Sequence, residues 1–255
     1  MSVTLECTVK VGIRPLRQAI TAVVPHAEPT KNGDEISSLS HVRFVAAKTE
    51  LLVMATCTHT SALAAVPIDE DSRAERFAAD DGVFSVDMTP GILRSVLADF
   101  KGSRSAADGI NEWVELDFGN HDTAGREVVR ITDVSALLPG LSMTIPVTPL
   151  ASEFPDLVGV LSRAVGNAAG DAKPLVSAGA QLSLFRHASE TYGQPLQFEP
   201  TGTKDSRGYI VLCGAYFSGH ITSRHNDDDS LKRRDAERRK HLERLGLSTP
   251  LASVG

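Results

Sequence analysis

The stretch Val83-Phe84-Ser85-Val86-Asp87-Met88-Thr89-Pro90-Gly91-Ile92-Leu93-Arg94-Ser95-Val96-Leu97-Ala98-Asp99-Phe100-Lys101 contains a complete passage from strand to helix. Val83 to Met88 mixes β-branched and aromatic residues with polar ones at alternate places, the pattern of a half-buried strand. Thr89 is a side chain that accepts from the amides of a first helical turn, and Pro90 fits the first helical position. Ile92, Leu93, Val96, Leu97 and Phe100 then fall on one helical stripe, with Arg94 and Lys101 two turns apart on the polar side. Three strands are expected next, at Trp113 to Phe118, Glu127 to Val134 and Leu141 to Val147.

The same plan, strand then amphipathic helix then strands, is legible on either side. Upstream, Val3 to Val11 alternates weakly and runs into a helix with Ile13, Leu16, Ile20 and Val24 on one face and Arg14, Arg17 and Thr21 on another. Pro15 suits its first turn and Pro25 stops it. Strands follow around Val42 to Val45, Leu51 to Cys57 and Ser61 to Ile68. Downstream, Leu175-Val176-Ser177 leads to a helix from Gly179 to Tyr192, with Leu182, Phe185 and Ala188 inward and Arg186 outward. Gly193 ends that helix, and strands follow at Pro195 to Glu199, Tyr209 to Cys213 and Tyr216 to Ile221. Between the second and third units, Phe154 to Ala169 reads as a further helix bearing Arg163.

A small sheet with one helix cannot bury its apolar face alone, so such units must pack side by side. The fold class is therefore α+β, built from repeated units with antiparallel sheets outside and helices lining one face. With 42% hydrophobic residues in 255, the chain can bury a sizeable core, and no apolar run reaches the roughly 18 residues of a membrane helix. The start of the chain has no secretory signal pattern, and the three cysteines, Cys7, Cys57 and Cys213, fit no zinc spacing; we expect reduced thiols, a cytoplasmic location, no metal and no cofactor.

The net charge of −6 is the wrong test for a protein that keeps its bases on one surface. Each helix carries cations on its polar face, and helices laid side by side would give a basic lining suited to sequence-independent phosphate contact. Arginine is also common on exposed helices, so charge alone does not identify a partner. An enzyme is the reading from another class, since Cys57 and His59 stand two apart on an expected strand and His187 or His220 could join them. Cys57 as a small buried hydrophobe is the simpler account. The chain has no Gly-x-Ser-x-Gly elbow, phosphate-binding Gly-rich loop or His-Glu-x-x-His helix, and no catalytic residue is assigned.

Three segments carry a resemblance to a known family. Pro149-Leu150-Ala151-Ser152-Glu153-Phe154-Pro155-Asp156-Leu157, after the strand Leu141 to Val147, resembles the Glu-Phe-Pro-Asp-Leu segment that closes a domain in the bacterial DNA polymerase III β subunit, the DNA sliding clamp. Leu51 to Thr56 with Ala64-Ala65-Val66-Pro67-Ile68 is similar to paired strands of that family's first domain, and Gly82 to Phe100 to its next strand and helix. The third unit, through Phe185-Arg186-His187-Ala188, Tyr192 to Leu196 and Tyr216 to Ile221, resembles the end of the last clamp domain as found in clamp-like proteins of actinobacterial phages.

The resemblance implies the DNA-clamp fold, with a first clamp domain over 1–150, a reduced second over 151–225 and a charged tail over 226–255. It implies a processivity factor: a homo-oligomeric ring around double-stranded DNA, without sequence preference, that meets a replicative polymerase and a clamp loader. Arg14, Arg17, Arg94, Lys101, Arg104, Arg163 and Arg186 are the expected DNA-binding residues. The family's Met-Pro-x-Arg ending is replaced here by Thr222-Ser223-Arg224, which leaves the partner-peptide pocket unassigned. The alternative on the same fold is a monomeric clamp-derived binding module or regulator of the replisome, to which the acidic net charge and altered ending also fit.

Overall fold

The computed structural model describes residues 7–30, 37–47, 49–70, 84–102, 112–121, 126–148, 154–166, 175, 177–201, 208–223 and 228–244. Arg104, Pro149 to Glu153 and Arg224 lie outside these residues.

Strand β1 (Cys7–Gly12) alternates buried and half-buried residues and turns directly into α1 (Ile13–Val23), whose Ile13, Leu16, Ala19, Ile20, Ala22 and Val23 are buried. Pro25 falls in a short 3-10 turn over Val24–His26 that ends the helix. Strands β2 (Val42–Ala46), β3 (Glu50–Thr56) and β4 (Thr60–Pro67) form a meander. Then comes the passage read first: β5 (Phe84–Met88) and α2 (Pro90–Asp99), with the Thr89 hydroxyl accepting from the Ile92 amide at 3.4 Å as the expected cap. Leu93, Val96 and Phe100 are buried, and Ile92 and Leu97 pack partly buried against them. The strands β6 (Trp113–His121), β7 (Glu127–Asp133) and β8 (Ser142–Pro146) follow.

After α3 (Leu157–Gly166), the third helix is two pieces, α4 (Gly179–Leu184) and α5 (Arg186–Tyr192), meeting at the fully buried Phe185. Gly193, at φ +64°, closes α5 in the left-handed conformation that costs a residue with a side chain most. Leu175 and Ser177 lie outside any strand, unlike the sequence expectation, because the strands that would pair with them in a complete unit have no counterpart in the third one. Strands β9 (Leu196–Thr201), β10 (Gly208–Cys213) and β11 (Phe217–Thr222) end the body, and α6 (Asp228–Arg244) follows.

Two antiparallel sheets result, ordered β1-β6-β7-β8 and β5-β2-β3-β4-β11-β10-β9. Bridges between Val11 and Ile68 and between Asp87 and Thr148 join them at both ends of the first eight strands. The third unit is attached through the β4–β11 seam, where Phe217 to Ile221 pair with Ala64 to Thr60. Gly219 makes that seam possible. A Cβ there would stand 2.6 Å from the Phe185 ring and 2.8 Å from the Ser61 carbonyl, so only glycine lets Phe185 lie over the junction.

One core joins both sheets to α1, α2 and α5. A second cluster on the opposite side of the large sheet holds Met54, Phe154 and Leu157 with Val45 and Leu63. Met54 alternates with Val53 and Ala55 of the main core, so it points to the other face of the pleat. Across this outer face α3 lies on β4, β11 and β10. Arg43 pins the segment before it. Its guanidinium bonds both Asp87 carboxylate oxygens, at 2.8 and 2.9 Å, and stacks 4.2 Å from the Phe154 ring centre.

Candidate nucleic-acid interface

Helix α1 is the middle of a row α2-α1-α5 on the side of the sheets away from α3. Two consecutive side chains of α1 hold its neighbours by their C-terminal ends, where helix carbonyls lack intrahelical donors. Arg17 Nη1 donates to the Leu97 carbonyl and, at 2.6 Å, to the Phe100 carbonyl at the end of α2. Gln18 Nε2 donates to the Thr191 carbonyl at the end of α5, at 2.8 Å. A cation at the negative end of α2 is favoured by the helix dipole as well.

The expected DNA-binding residues divide accordingly. Arg14 on α1, Arg94 on α2, Lys101 just past α2 and Arg186 on α5 are exposed on adjacent helices. Arg186 lies 3.2 Å from Glu190, one turn on, an exposed pair that offsets part of its charge. Arg17 belongs to the same row but is half-buried and engaged as a brace, which its outward place on the helical wheel did not reveal. Arg163, exposed on α3, stands on the opposite face of the large sheet and does not join the others. Arg104 lies outside the described residues. The bracing Gln18 was not legible, because an amide on a helix face carries no sign of which neighbour it will meet.

Behind the row, His26 is fully buried between α1 and the third unit. Its Nδ1 is 3.0 Å from Thr60 Oγ1, its ring meets Phe185 edge-on at 4.6 Å, and its Nε2 has no hydrogen-bond partner. Burial pushes its pKa down to about 3, with His187 adding to the shift. Cys57 and His59 sit in the turn between β3 and β4 rather than on a strand. The Cys57 sulfur is 3.2 Å from Thr60 Oγ1, while His220 pairs with Ser61, whose side chain alternates to the other face. Burial raises the Cys7 thiol to about 11, with Asp117 contributing, and also raises Cys213, so both stay protonated at neutral pH. Among the described residues no group of three or more His, Cys, Asp or Glu side chains could hold a metal, and no helix is long and apolar enough to cross a membrane.

A row of helices backed by two antiparallel sheets is the DNA-clamp fold, and solved structures of sliding clamps share it. The chain is similar to the DNA polymerase III β subunit of Thermotoga maritima, with 13% identity and a TM-score of 0.56 over 89% of this chain and 66% of that one. It is also similar to the DNA polymerase sliding clamps of Caulobacter crescentus and Bacillus subtilis, each at 12% identity and a TM-score of 0.53 over 89% of this chain, covering 68% and 66% of theirs. The chain thus spans about two thirds of the length of these clamps. No protein-family model matches the sequence, and no curated protein matches it.

Proposed function

We propose that this protein is a shortened sliding clamp, a non-enzymatic processivity factor that encircles duplex DNA and tethers a replicative polymerase. The observation that carries the reading is the α2-α1-α5 row, which sets Arg14, Arg94, Lys101 and Arg186 on the exposed sides of neighbouring helices within an acidic protein. Cations on helices braced end to side can touch phosphates without reading bases, so the ring slides. Residues 1–150 form the complete clamp domain in this reading, and 151–225 form a reduced second one. A homo-oligomer closes the ring, a clamp loader opens it, and the protein works in the cytoplasm. Arg17 contributes by holding the row, and Arg163 faces away from the DNA.

The test is retention on DNA after loading. The wild type should stay on closed circular duplex and run off the same duplex once linearised. The combined variant Arg14→Glu, Arg94→Glu, Lys101→Glu and Arg186→Glu should fold and fail to be retained; retention equal to wild type would overturn the assignment. One observation favours a second reading, a monomeric clamp-derived binding module: the third unit lacks the half that would complete a clamp domain. A particle of monomer mass at every concentration selects that reading.

A further inference from the structure

The internal repeat identifies an edge with a missing neighbour. In the second unit β6-β7-β8 follow α2, and β1 covers the outer edge of β6 from Cys7↔Phe118 to Gly12↔Trp113. In the third unit β9-β10-β11 follow α5, so β9 holds the place of β6, and among the described residues no strand pairs with its outer edge. The chain's other open edge is β8, which pairs with β7 alone apart from the bridge at Thr148.

The backbone groups each edge presents follow from the pairing. Asp133 donates to the Leu141 carbonyl and Val147 to that of Glu127, so odd-numbered residues of β8 face β7 and Ser142, Thr144 and Pro146 face outward. Thr222 donates to the His59 carbonyl, which turns the even-numbered residues of β11 toward β4. Carried through the β10 register, the same alternation points Leu196, Phe198 and Pro200 of β9 outward. Each edge therefore offers two amide donors, three carbonyls and one proline. The β4–β11 seam inside the chain shows that such an edge can be joined: it unites two unlike edges antiparallel, with Pro67 three residues past its last pair. Both open edges also carry exposed apolar side chains. Leu137 is fully exposed and Leu138 and Leu141 largely so at the β7–β8 turn, and Phe198 is 40% exposed on β9. β8 has no charged residue and β9 has only Glu199, so no like charges oppose their meeting.

We propose that β8 of one copy pairs with β9 of the next, taking on β9 the position that β1 takes on β6, so that copies of this chain join head to tail. The edges are different, so the contact is heterologous, and it propagates into a closed ring or an open chain according to its rotation. This pairing deepens the ring reading above and rests on it for its purpose.

Two variants each remove one outward-facing amide and no internal bond: Thr144→Pro in β8 and Phe198→Pro in β9. Light scattering over a range of concentrations should show an oligomer for wild type, a monomer for each variant alone, and a heterodimer and nothing larger for their equimolar mixture. Self-paired edges, β8 with β8 and β9 with β9, would instead leave each variant a dimer, and that result overturns the inference, as does a monomeric wild type. Should a proline variant fail to fold by circular dichroism, Leu138→Lys and Phe198→Lys leave every backbone donor in place and should each weaken association at least tenfold. Retention on closed circular DNA, measured in parallel, separates the two readings. A self-paired ring retained on DNA keeps the clamp and sinks the head-to-tail seam, whereas a head-to-tail oligomer that is not retained does the reverse.

Discussion

At the scale of the residue, Arg17 and Arg14 share a helix and a charge and do different work. Arg17 satisfies two carbonyls at the end of α2, and a hydrogen bond from a charged donor contributes about 1.5–3 kcal/mol. Arg17→Met should lower stability by roughly that amount, about 2–4 °C of melting temperature per kcal/mol for a chain this size, while the exposed Arg14→Glu should leave melting within about 1 °C. A thermal melt of the two variants checks this; equal melting temperatures would remove the brace. His26 supplies a pH dependence. Its folded pKa lies well below the ordinary value of about 6.5, so the neutral form is the one the fold accepts. Its contribution is fully present above pH ~6.5 and is lost as pH falls toward the folded value, at up to about 1.4 kcal/mol per pH unit for one proton. Denaturant melts between pH 7 and 5 should show a shallower loss in His26→Gln than in wild type, whatever the variant's stability at neutral pH.

The seams between elements decide whether the third unit belongs to the body. Gly219 is the point of closest approach, with Phe185 on one side and the β4 backbone on the other. Gly219→Ala should cost about 1–3 kcal/mol, the usual range for overpacking a tight core. The loss should appear first in exchange of the β11 and β4 amides, because the Ser61 carbonyl cannot yield without opening the seam. Uniform exchange across both sheets would show that the junction is no weaker than the rest. Much at this scale was legible beforehand. Thr89 and Pro90 announced the start of α2, Gly193 the end of α5, and the alternation of Trp113 to Phe118 its strand, since caps and periodicity depend on neighbours a few residues away. The split of the third helix at Phe185 was not, because a full turn of buried contact with Gly219 and His26 sets it.

For the whole molecule, the reading turns on how many phosphates the helix row meets. If Arg14, Arg94, Lys101 and Arg186 each meet one, the fourfold Glu variant should flatten the slope of log affinity against log salt by about 0.9 per contact removed. Arg163→Glu should leave that slope unchanged, because α3 lies across the other face of the sheet. A salt titration of duplex binding by both variants measures this, and an equal effect of Arg163→Glu would place DNA on the outer face.

The sequence by itself determined the local plan: the repeated strand-helix-strands units, the caps that bound their helices, and the cations on their polar faces. It also indicated, through the order of short motifs, the clamp fold they build. Only the tertiary structure decided which face each cation reaches, that Arg17 and Gln18 brace the row, that α3 crosses to the outer side, and which two edges stay open. The division has a physical reason. Periodicity records whether a residue meets core or solvent within its own element, whereas sheet order, seams and the facing of helices arise from contacts between distant residues that no local pattern encodes.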